Sequence, residues 1–139
     1  MAAALAPEEL AALRAAVAAG DPAVDVYLDV AERRVVRVKD GVCDPEDLDA
    51  DAVERDEARY AEIPVVTTTD EYLWMQDFAE DYGDRRVASF LDGRKGANAR
   101  FLKRLVKQTP DAMAAWETYR AGRIEALVEE WLEELGVER

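Results

Sequence analysis

The spacing of apolar residues predicts a helix at the start of the chain and a strand after it. Apolar side chains recur at helical spacing over residues 10–17. Pro7 precedes them, and proline suits the first helical position because its missing N–H has no partner there in any case. The Gly-Asp-Pro segment 20–22 ends this helix. Residues 24–30 then alternate polar and apolar side chains, which is the period of a half-buried strand.

A second strand and an acidic segment follow. Valines at 35, 36 and 38 predict a strand, and residues 31–34 are few enough to join the two strands as an antiparallel hairpin. Residues 44–60 hold many acids and few apolar side chains, which favours a loop and then a surface helix. Residues 63–66, Ile-Pro-Val-Val, predict a short extended piece, because proline suits a strand start or edge.

The remaining chain is predicted to be helical. Thr68 and Glu71 have the spacing of a capping box, which marks a helix N-terminus. A short helix is expected before Gly93, and another over about residues 96–108. Thr-Pro-Asp at 109–111 restarts the chain as a long last helix, with the threonine as its cap.

This order of elements predicts an α+β fold, with a small antiparallel sheet packed against a mainly helical C-terminal half. We expect a single domain over residues 1–139, long enough to bury a core without disulfides or structural metal. Within it, residues 1–40 supply the first helix and the hairpin. Residues 41–62 supply the acidic loop and helix, and residues 63–136 the helical part.

Three tryptophans lie at helical spacing with other apolar residues: Trp74, Trp116 and Trp131. Core positions are the more frequent use of such residues, so we expect burial rather than a binding platform. Trp116 and Trp131 are expected to pack the last helix against the helix that carries Trp74 and Phe78.

Two absences restrict the chemistry that the chain can perform. It has no histidine, and Cys43 is its one cysteine. Ser-His-Asp and Cys-His nucleophile pairs, His-ligated metals and all-cysteine zinc sites are therefore excluded. We expect no catalytic residue, metal or cofactor. The lone cysteine favours a reducing, cytoplasmic location, and no apolar run reaches the ~18 residues of a membrane span.

One group of carboxylates resembles the start of a calcium-binding loop. Asp47, Asp49 and Asp51 alternate in the required way. Such a loop also needs glycine at its sixth position and a bidentate glutamate at its twelfth, and these positions hold Ala52 and Ala58. We therefore interpret the acids as a helix start on the surface.

A second group of carboxylates lies in and near the first hairpin. Asp25, Asp29 and Asp40 are candidates for acid–base or magnesium chemistry. Asp25 and Asp29 fall on the polar face of an alternating strand, where outward carboxylates are ordinary. No nucleophile or phosphate-binding loop accompanies them, so we expect no catalytic role.

The basic segment is the most specific signal. The chain carries a net charge of −13, yet residues 84–107 hold eight Lys/Arg and two Asp, a net of +6. The candidate binding residues are Arg94, Lys95, Arg100, Lys103, Arg104 and Lys107. The last four recur at i, i+3, i+4 and i+7 and so form one cationic stripe. Such a stripe can bind phosphates or an acidic partner, or it can lie against the chain's own acids at 40–62 or 125–134.

Several short motifs occur in a fixed order. They are Tyr27-Leu28-Asp29, Ile63-Pro64, Met75-x-Asp77-Phe78, Gly96-Ala97 with Arg100-Phe101, Trp116 with Tyr119-Arg120, and Glu130-Trp131-Leu132. Their order and spacing over residues 26–136 resemble the bacterial uncharacterised protein family 0158. Asn98 and Ala99 depart from the family pattern, which tends to have an aromatic and a basic residue there. The resemblance implies a small cytoplasmic bacterial protein and no established activity, substrate or cofactor.

The favoured hypothesis is a non-enzymatic interaction or regulatory protein that binds another macromolecule, foremost a protein. The alternative is a nucleic-acid-associated protein that uses the basic helix 94–107. The net charge of −13 disfavours it because the protein's field repels polyanions. An enzyme that uses carboxylates and a divalent ion ranks third. No membrane association is expected, and no oligomeric state is predicted.

Overall fold

The structure, a computed structural model, describes residues 4–83, 85–91 and 95–137 and has the predicted α+β fold. It divides into two compact units. The sheet unit comprises Met1–Val65 and Ile124–Arg139, and the helical unit comprises Val66–Arg123. Whether both units fold together as one domain stays a prediction.

Four antiparallel strands form the sheet of the sheet unit. They are β1 (Asp25–Asp29), β2 (Arg34–Lys39), β3 (Val42–Asp44) and β4 (Tyr60–Glu62). Their spatial order is β3-β2-β1-β4. The helices of this unit are α1 (Pro7–Ala19), α2 (Ala50–Arg55) and the second half of α6 (Pro110–Leu135).

The first hairpin forms as predicted, with Tyr27 of β1 opposite Val36 of β2. A second hairpin, which the sequence reading placed in a loop, joins β2 to β3. Its turn residues Asp40 and Gly41 have φ values of 52° and 76°. A two-residue hairpin turn of the favoured type needs positive φ at both positions, and Asp-Gly is a preferred pair there.

A different helix packs on each face of the sheet. On the face that carries Tyr27, α2 contributes Val53 to a buried cluster with Val36, Val38, Cys43 and Tyr60. The helix α1 lies next to β2 and buries Leu13 and Val17. A carboxylate oxygen of Glu9 accepts the Val35 N–H at 2.7 Å, which fixes α1 to the start of β2.

The second half of α6 shows where the tryptophan prediction is wrong. Ile124, Val128 and Leu132 recur every four residues and are buried. Trp131 is only partly buried. Trp131 precedes Leu132 by one residue, so it lies about 100° around the helix from Leu132, at the edge of the buried stripe.

The helical unit consists of α3 (Thr68–Tyr82), α4 (Arg85–Ser89), α5 (Ala97–Gln108) and the first half of α6. Its buried cluster includes Met75, Phe78, Phe101, Leu105 and Trp116. The Trp116 ring lies 5.6 Å from the Phe78 ring and 6.2 Å from the Phe101 ring, in edge-on geometry. The expected packing of Trp116 against the Phe78 helix is confirmed.

The capping box of α3 lies one residue earlier than predicted. The Asp70 N–H donates to Thr67 Oγ1, and the Thr67 N–H donates to an Asp70 carboxylate oxygen, both at 3.0 Å. Glu71, the predicted acidic member, instead pairs with Arg120 at 2.8 Å. The Glu71 carboxylate, which the local pattern assigns to the helix cap, therefore forms a long-range ion pair instead.

We expect Thr67→Ala to lower the free energy of unfolding by about 1 kcal/mol, the typical cost of losing an N-cap. Thr68→Ala is the matched control, because the Thr68 side chain takes no part in the box. Urea unfolding followed by circular dichroism measures both. Equal losses in the two variants contradict this assignment.

Candidate binding face

The helix α5 divides into a buried side and a charged side. Ala97, Phe101 and Leu105 are four residues apart and buried in the helical unit. The cations Lys103 and Lys107 lie on the opposite side and are exposed. The sequence folds as a helix here because the apolar positions follow a 3.6-residue period and Gly96, at φ 81°, precedes the first turn.

The N-terminal members of the predicted set differ from the two exposed lysines. Arg94 lies outside the described residues. Lys95 is exposed and precedes α5 by two residues. The Arg100 guanidinium donates from Nη1 to the Lys95 carbonyl at 2.9 Å, so it stabilises the start of the helix. Arg100 is therefore engaged with the backbone rather than presented to a partner.

The other three stripe residues form what we call the α5 cationic face: Lys103, Arg104 and Lys107. The two lysines are exposed, and Arg104 is half-buried with its guanidinium 5.9 Å from the centre of the Phe90 ring. That distance is within the range of a cation–π contact, which holds the arginine in place while leaving its charge available. Within residues 4–83, 85–91 and 95–137, none of the three forms an ion pair with an acid.

Apolar residues border the α5 cationic face. Val106 is 55% exposed, Ala99 is exposed, and Leu102 is half-buried. Residues 99, 102 and 106 are three or four positions apart, so they share one edge of the helix beside Lys103. The face therefore combines positive charge with uncovered apolar surface.

Charge is distributed unequally between the two units. Residues 66–123 contain ten Lys/Arg and nine Asp/Glu, a net of +1. Residues 1–65 and 124–139 contain eight Lys/Arg and 22 Asp/Glu, a net of −14. The acidity of the chain is thus a property of the sheet unit, and the helical unit that carries α5 is nearly neutral.

A cavity of about 380 Å³ adjoins the start of α5, lined among others by Thr68, Tyr72 and Lys95. The Asn98 side chain closes one side by donating to the Thr68 carbonyl at 2.9 Å. The capping box already places the carboxylate of Asp70 at the first turn of α3. This negative charge competes with any anion at that helix end.

Asp29 is not the outward carboxylate that the strand pattern predicts. It is fully buried, and its Oδ1 accepts the N–H groups of Ala31 and Glu32 at 3.1 Å each. Arg59 donates to Oδ1 from Nε and to Oδ2 from Nη2, both at 3.1 Å. Arg34 adds an ion pair at 3.6 Å.

The surroundings of Asp29 keep it ionised. Burial by itself raises the pKa of this carboxyl, but the hydrogen bonds from Arg59, Glu32 and Ala31 outweigh burial, so the pKa is lowered. All these contacts hold the turn after β1 and the residue before β4. Asp29 thus has a structural role, while Asp25 and Asp40 are exposed elsewhere in the sheet unit.

Sequence reasoning missed Arg59, the main partner of Asp29. One signal for a special role of Asp29 was available. An aspartate just before a turn commonly accepts the N–H groups two and three residues ahead, and Ala31 and Glu32 occupy those places. Nothing local indicates Arg59, because it lies 30 residues away.

The calcium-like acids belong to the surface, as interpreted. Asp49 immediately precedes α2 and Asp51 lies in its first turn; both are exposed. Asp47 is 69% exposed at its side chain and lies 3.8 Å from Arg34. In the part of the chain that the structure describes, no three acidic or cysteine side chains are grouped so that they could hold a metal ion.

Comparison with known proteins shows the family of the chain. The sequence pattern of an uncharacterised protein family, UPF0158, fits residues 8–138. The chain belongs to this family. No curated protein and no solved structure matches it. Among the described residues of this UPF0158 protein, no helix has the length and apolar character needed to cross a bilayer.

The motif residues of the C-terminal half mostly stabilise the helical unit. Phe78 and Trp116 are core residues, as described above. Asp77 pairs with Arg123 at 3.3 Å, and Arg123 also donates from Nη2 to the Tyr119 hydroxyl at 2.6 Å. Together with the Glu71–Arg120 pair, these contacts join α3 to α6. The motifs of the C-terminal half therefore mark packing and ion pairing rather than a reactive site.

Proposed function

We propose that this UPF0158 protein is a non-enzymatic interaction protein that binds an acidic segment of another protein through the α5 cationic face. One observation carries the proposal. Lys103, Arg104 and Lys107 form no ion pair with the acids of the described chain, although the sequence contains 31 Asp and Glu. Their charge is therefore available to a partner.

The apolar edge favours a protein over a nucleic acid. Fully burying a valine contributes about 1.5–3 kcal/mol, so covering Val106, which is 55% exposed, contributes roughly 1 kcal/mol. An exposed ion pair contributes about 0.2–1 kcal/mol. The apolar contact is thus as large as any single charge contact, and a phosphate backbone cannot supply it. The expected partner segment combines carboxylates with an apolar side chain.

We also propose a cytoplasmic location. Cys43 is a free, buried thiol in β3. Burial raises its pKa, and the carboxylates of Asp49, Glu54 and Asp47 raise it further. A covered, neutral thiol is typical of a structural cysteine, and unpaired cysteines are ordinary in reducing compartments.

Charge reversal of the two exposed lysines tests the proposed function. We expect Lys103→Glu/Lys107→Glu to lose a protein partner that co-purifies with the wild type from the native cell, as measured by mass spectrometry. Lys39→Glu/Arg55→Glu is the matched control, because it makes the same charge change at exposed cations of the sheet unit. The control should retain the partner, and circular dichroism should show both variants folded. Retention of the partner by both variants rules out the α5 cationic face as its binding surface.

The same variants also test the nucleic-acid alternative. Each neutralised phosphate makes the slope of log affinity against log salt concentration more negative by ~0.7–0.9. Three cations that each neutralise one phosphate therefore give a slope of roughly −2 to −3. We expect no gel shift of duplex or single-stranded DNA or RNA near physiological salt. A shift with that slope, lost in Lys103→Glu/Lys107→Glu and kept in the control, establishes nucleic acid as the ligand instead.

A further inference from the structure

One flank of α6, in the sheet unit, combines acids with partly uncovered apolar surface. Glu130 and Glu134 are exposed and four residues apart. Leu127 and Trp131 are also four residues apart, and each is only half-buried. Each glutamate follows one of these apolar residues by three positions, so the four side chains share one side of the helix. We call them the α6 acidic flank.

The two glutamates of the α6 acidic flank are not used within the described chain. Among the residues that the structure describes, neither Glu130 nor Glu134 forms an ion pair. Their neighbour Glu125 differs, because it pairs with Arg14 at 2.9 Å. The charge of the α6 acidic flank is therefore available to a partner, as is that of the α5 cationic face.

The α6 acidic flank has the same spacing as the α5 cationic face and the opposite charge. On α5, Lys103 and Lys107 are one turn apart, and so are the apolar residues beside them, Leu102 and Val106. Four residues of helix rise about 6 Å, so the charges repeat over the same distance on both helices. Two ion pairs and an apolar contact can therefore form in a single register.

The order of the two rows around each helix sets the direction in which the helices pack. Lys103 lies about 100° after Leu102 on α5, whereas Glu130 lies about 100° before Trp131 on α6. When two helices pack side by side and run in the same direction, their surfaces meet in opposite angular order. In parallel packing, the lysines therefore face the glutamates, and Val106 faces Trp131. Antiparallel packing places each charged row against an apolar row.

We infer, on the basis of the proposed function, that the acidic segment bound by the α5 cationic face is the α6 acidic flank of a second copy, with the two helices parallel. The observations that carry this are the unpaired charges of opposite sign and their equal spacing. The net charge of −13 on each copy causes repulsion at long range. At physiological ionic strength the Debye length is about 8 Å, so this repulsion is largely screened, whereas charges in contact are screened much less.

Sedimentation velocity of the full chain over a series of concentrations tests self-association. We expect the wild type to associate reversibly as its concentration rises. Lys103→Glu/Lys107→Glu should raise the Kd at least tenfold, because it places like charges against the α6 acidic flank. Lys39→Glu/Arg55→Glu makes the same charge change at exposed cations of the sheet unit and should leave the Kd within about twofold.

Reversing the charge of α6 provides the complementary test. Glu130→Lys/Glu134→Lys alone should also raise the Kd at least tenfold, whereas Glu46→Lys/Glu57→Lys, its matched control at exposed acids, should not. An equimolar mixture of the α5 variant and the α6 variant should associate again, because each supplies the surface that the other lacks. Circular dichroism checks that each variant is folded. If the mixture stays dissociated, the two surfaces do not contact each other and the inference is wrong.

An apolar substitution tests the register of the two helices. Val106→Ser should raise the Kd about fivefold, because Val106 is 55% exposed and loses its apolar contact with the second copy. Val42→Ser is the matched control, since Val42 is 62% exposed on β3 of the sheet unit. An unchanged Kd for Val106→Ser contradicts the register in which Val106 contacts Trp131.

The failure of self-association and the failure of the proposed function give different results. If the wild type stays monomeric up to about 1 mM, the range of a very weak complex, self-association is overturned. If Lys103→Glu/Lys107→Glu nevertheless loses a co-purifying protein, the α5 cationic face binds an acidic segment of a different protein. If that variant loses no protein either, both the self-association and the proposed function are wrong.

Discussion

Replacing Trp116 with alanine is expected to cause the largest loss of stability of any single substitution in the helical unit. The Trp116 side chain is 2% exposed, and its ring lies near those of Phe78, Phe101 and Tyr119. Truncation of a buried tryptophan costs about 3–5 kcal/mol, because the transfer free energy is lost and a cavity remains. A small protein has only ~5–15 kcal/mol of stability in total.

Thermal unfolding followed by circular dichroism measures this effect. At roughly 2–8 °C per kcal/mol for chains of this size, the expected decrease in Tm is about 10–20 °C. Trp131→Ala is the matched control, since Trp131 is only partly buried, and its decrease should be less than half as large. Trp116→Phe should recover part of the loss by keeping a ring in the cluster. Equal decreases for Trp116→Ala and Trp131→Ala contradict the burial difference.

The elements that the sequence predicted correctly are those whose signals are local. The helix α1 has Pro7 at its first position and Gly20 at its end, and the structure has both. The first hairpin follows from the alternation on either side of a short turn. These patterns are set by neighbouring residues, so a reading of the chain alone can detect them.

The elements that were missed depend on distant contacts. The strand β4 has three residues, too few for a period to show, and it forms by pairing with β1, with Tyr27 opposite Glu62. The sequence placed the extended piece at 63–66 instead. β3 is equally short, but the Asp40–Gly41 turn was a usable signal for it.

The candidate face shows the same division between local and distant information. The spacing of Lys103, Arg104 and Lys107 predicted that they share one side of a helix. These residues lie in α5, which places them on one side. Whether acids of the chain neutralise them depends on the fold, and in the described residues they form no such pairs. Arg100 was grouped with them by spacing, yet its guanidinium binds the Lys95 carbonyl.

The buried ion pair gives the second large prediction, and Asp29→Asn tests it. The substitution keeps the shape of the side chain and removes its charge, which leaves Arg59 and Arg34 without their buried carboxylate. Removing one partner of a buried pair costs about 3–5 kcal/mol. The Arg59 side chain is 39% exposed and can be solvated again, so we expect a loss of about 2–3 kcal/mol at neutral pH. Asp25→Asn, at the exposed end of the same strand, should change the stability by less than ~0.5 kcal/mol.

The pH dependence of this loss distinguishes a charge effect from a packing effect. The pKa of Asp29 is lowered from its ordinary value of 3.8. A lowered pKa in the folded state means that the ionised carboxylate stabilises the fold above the unfolded pKa, and that this stabilisation is lost as the pH falls through the folded value. The difference in unfolding free energy between wild type and Asp29→Asn should therefore be constant from about pH 5 to 7 and should shrink below about pH 4. Urea unfolding at a series of pH values measures it. A difference that stays constant down to pH ~2 indicates that the asparagine perturbs packing and that the charge of Asp29 contributes little.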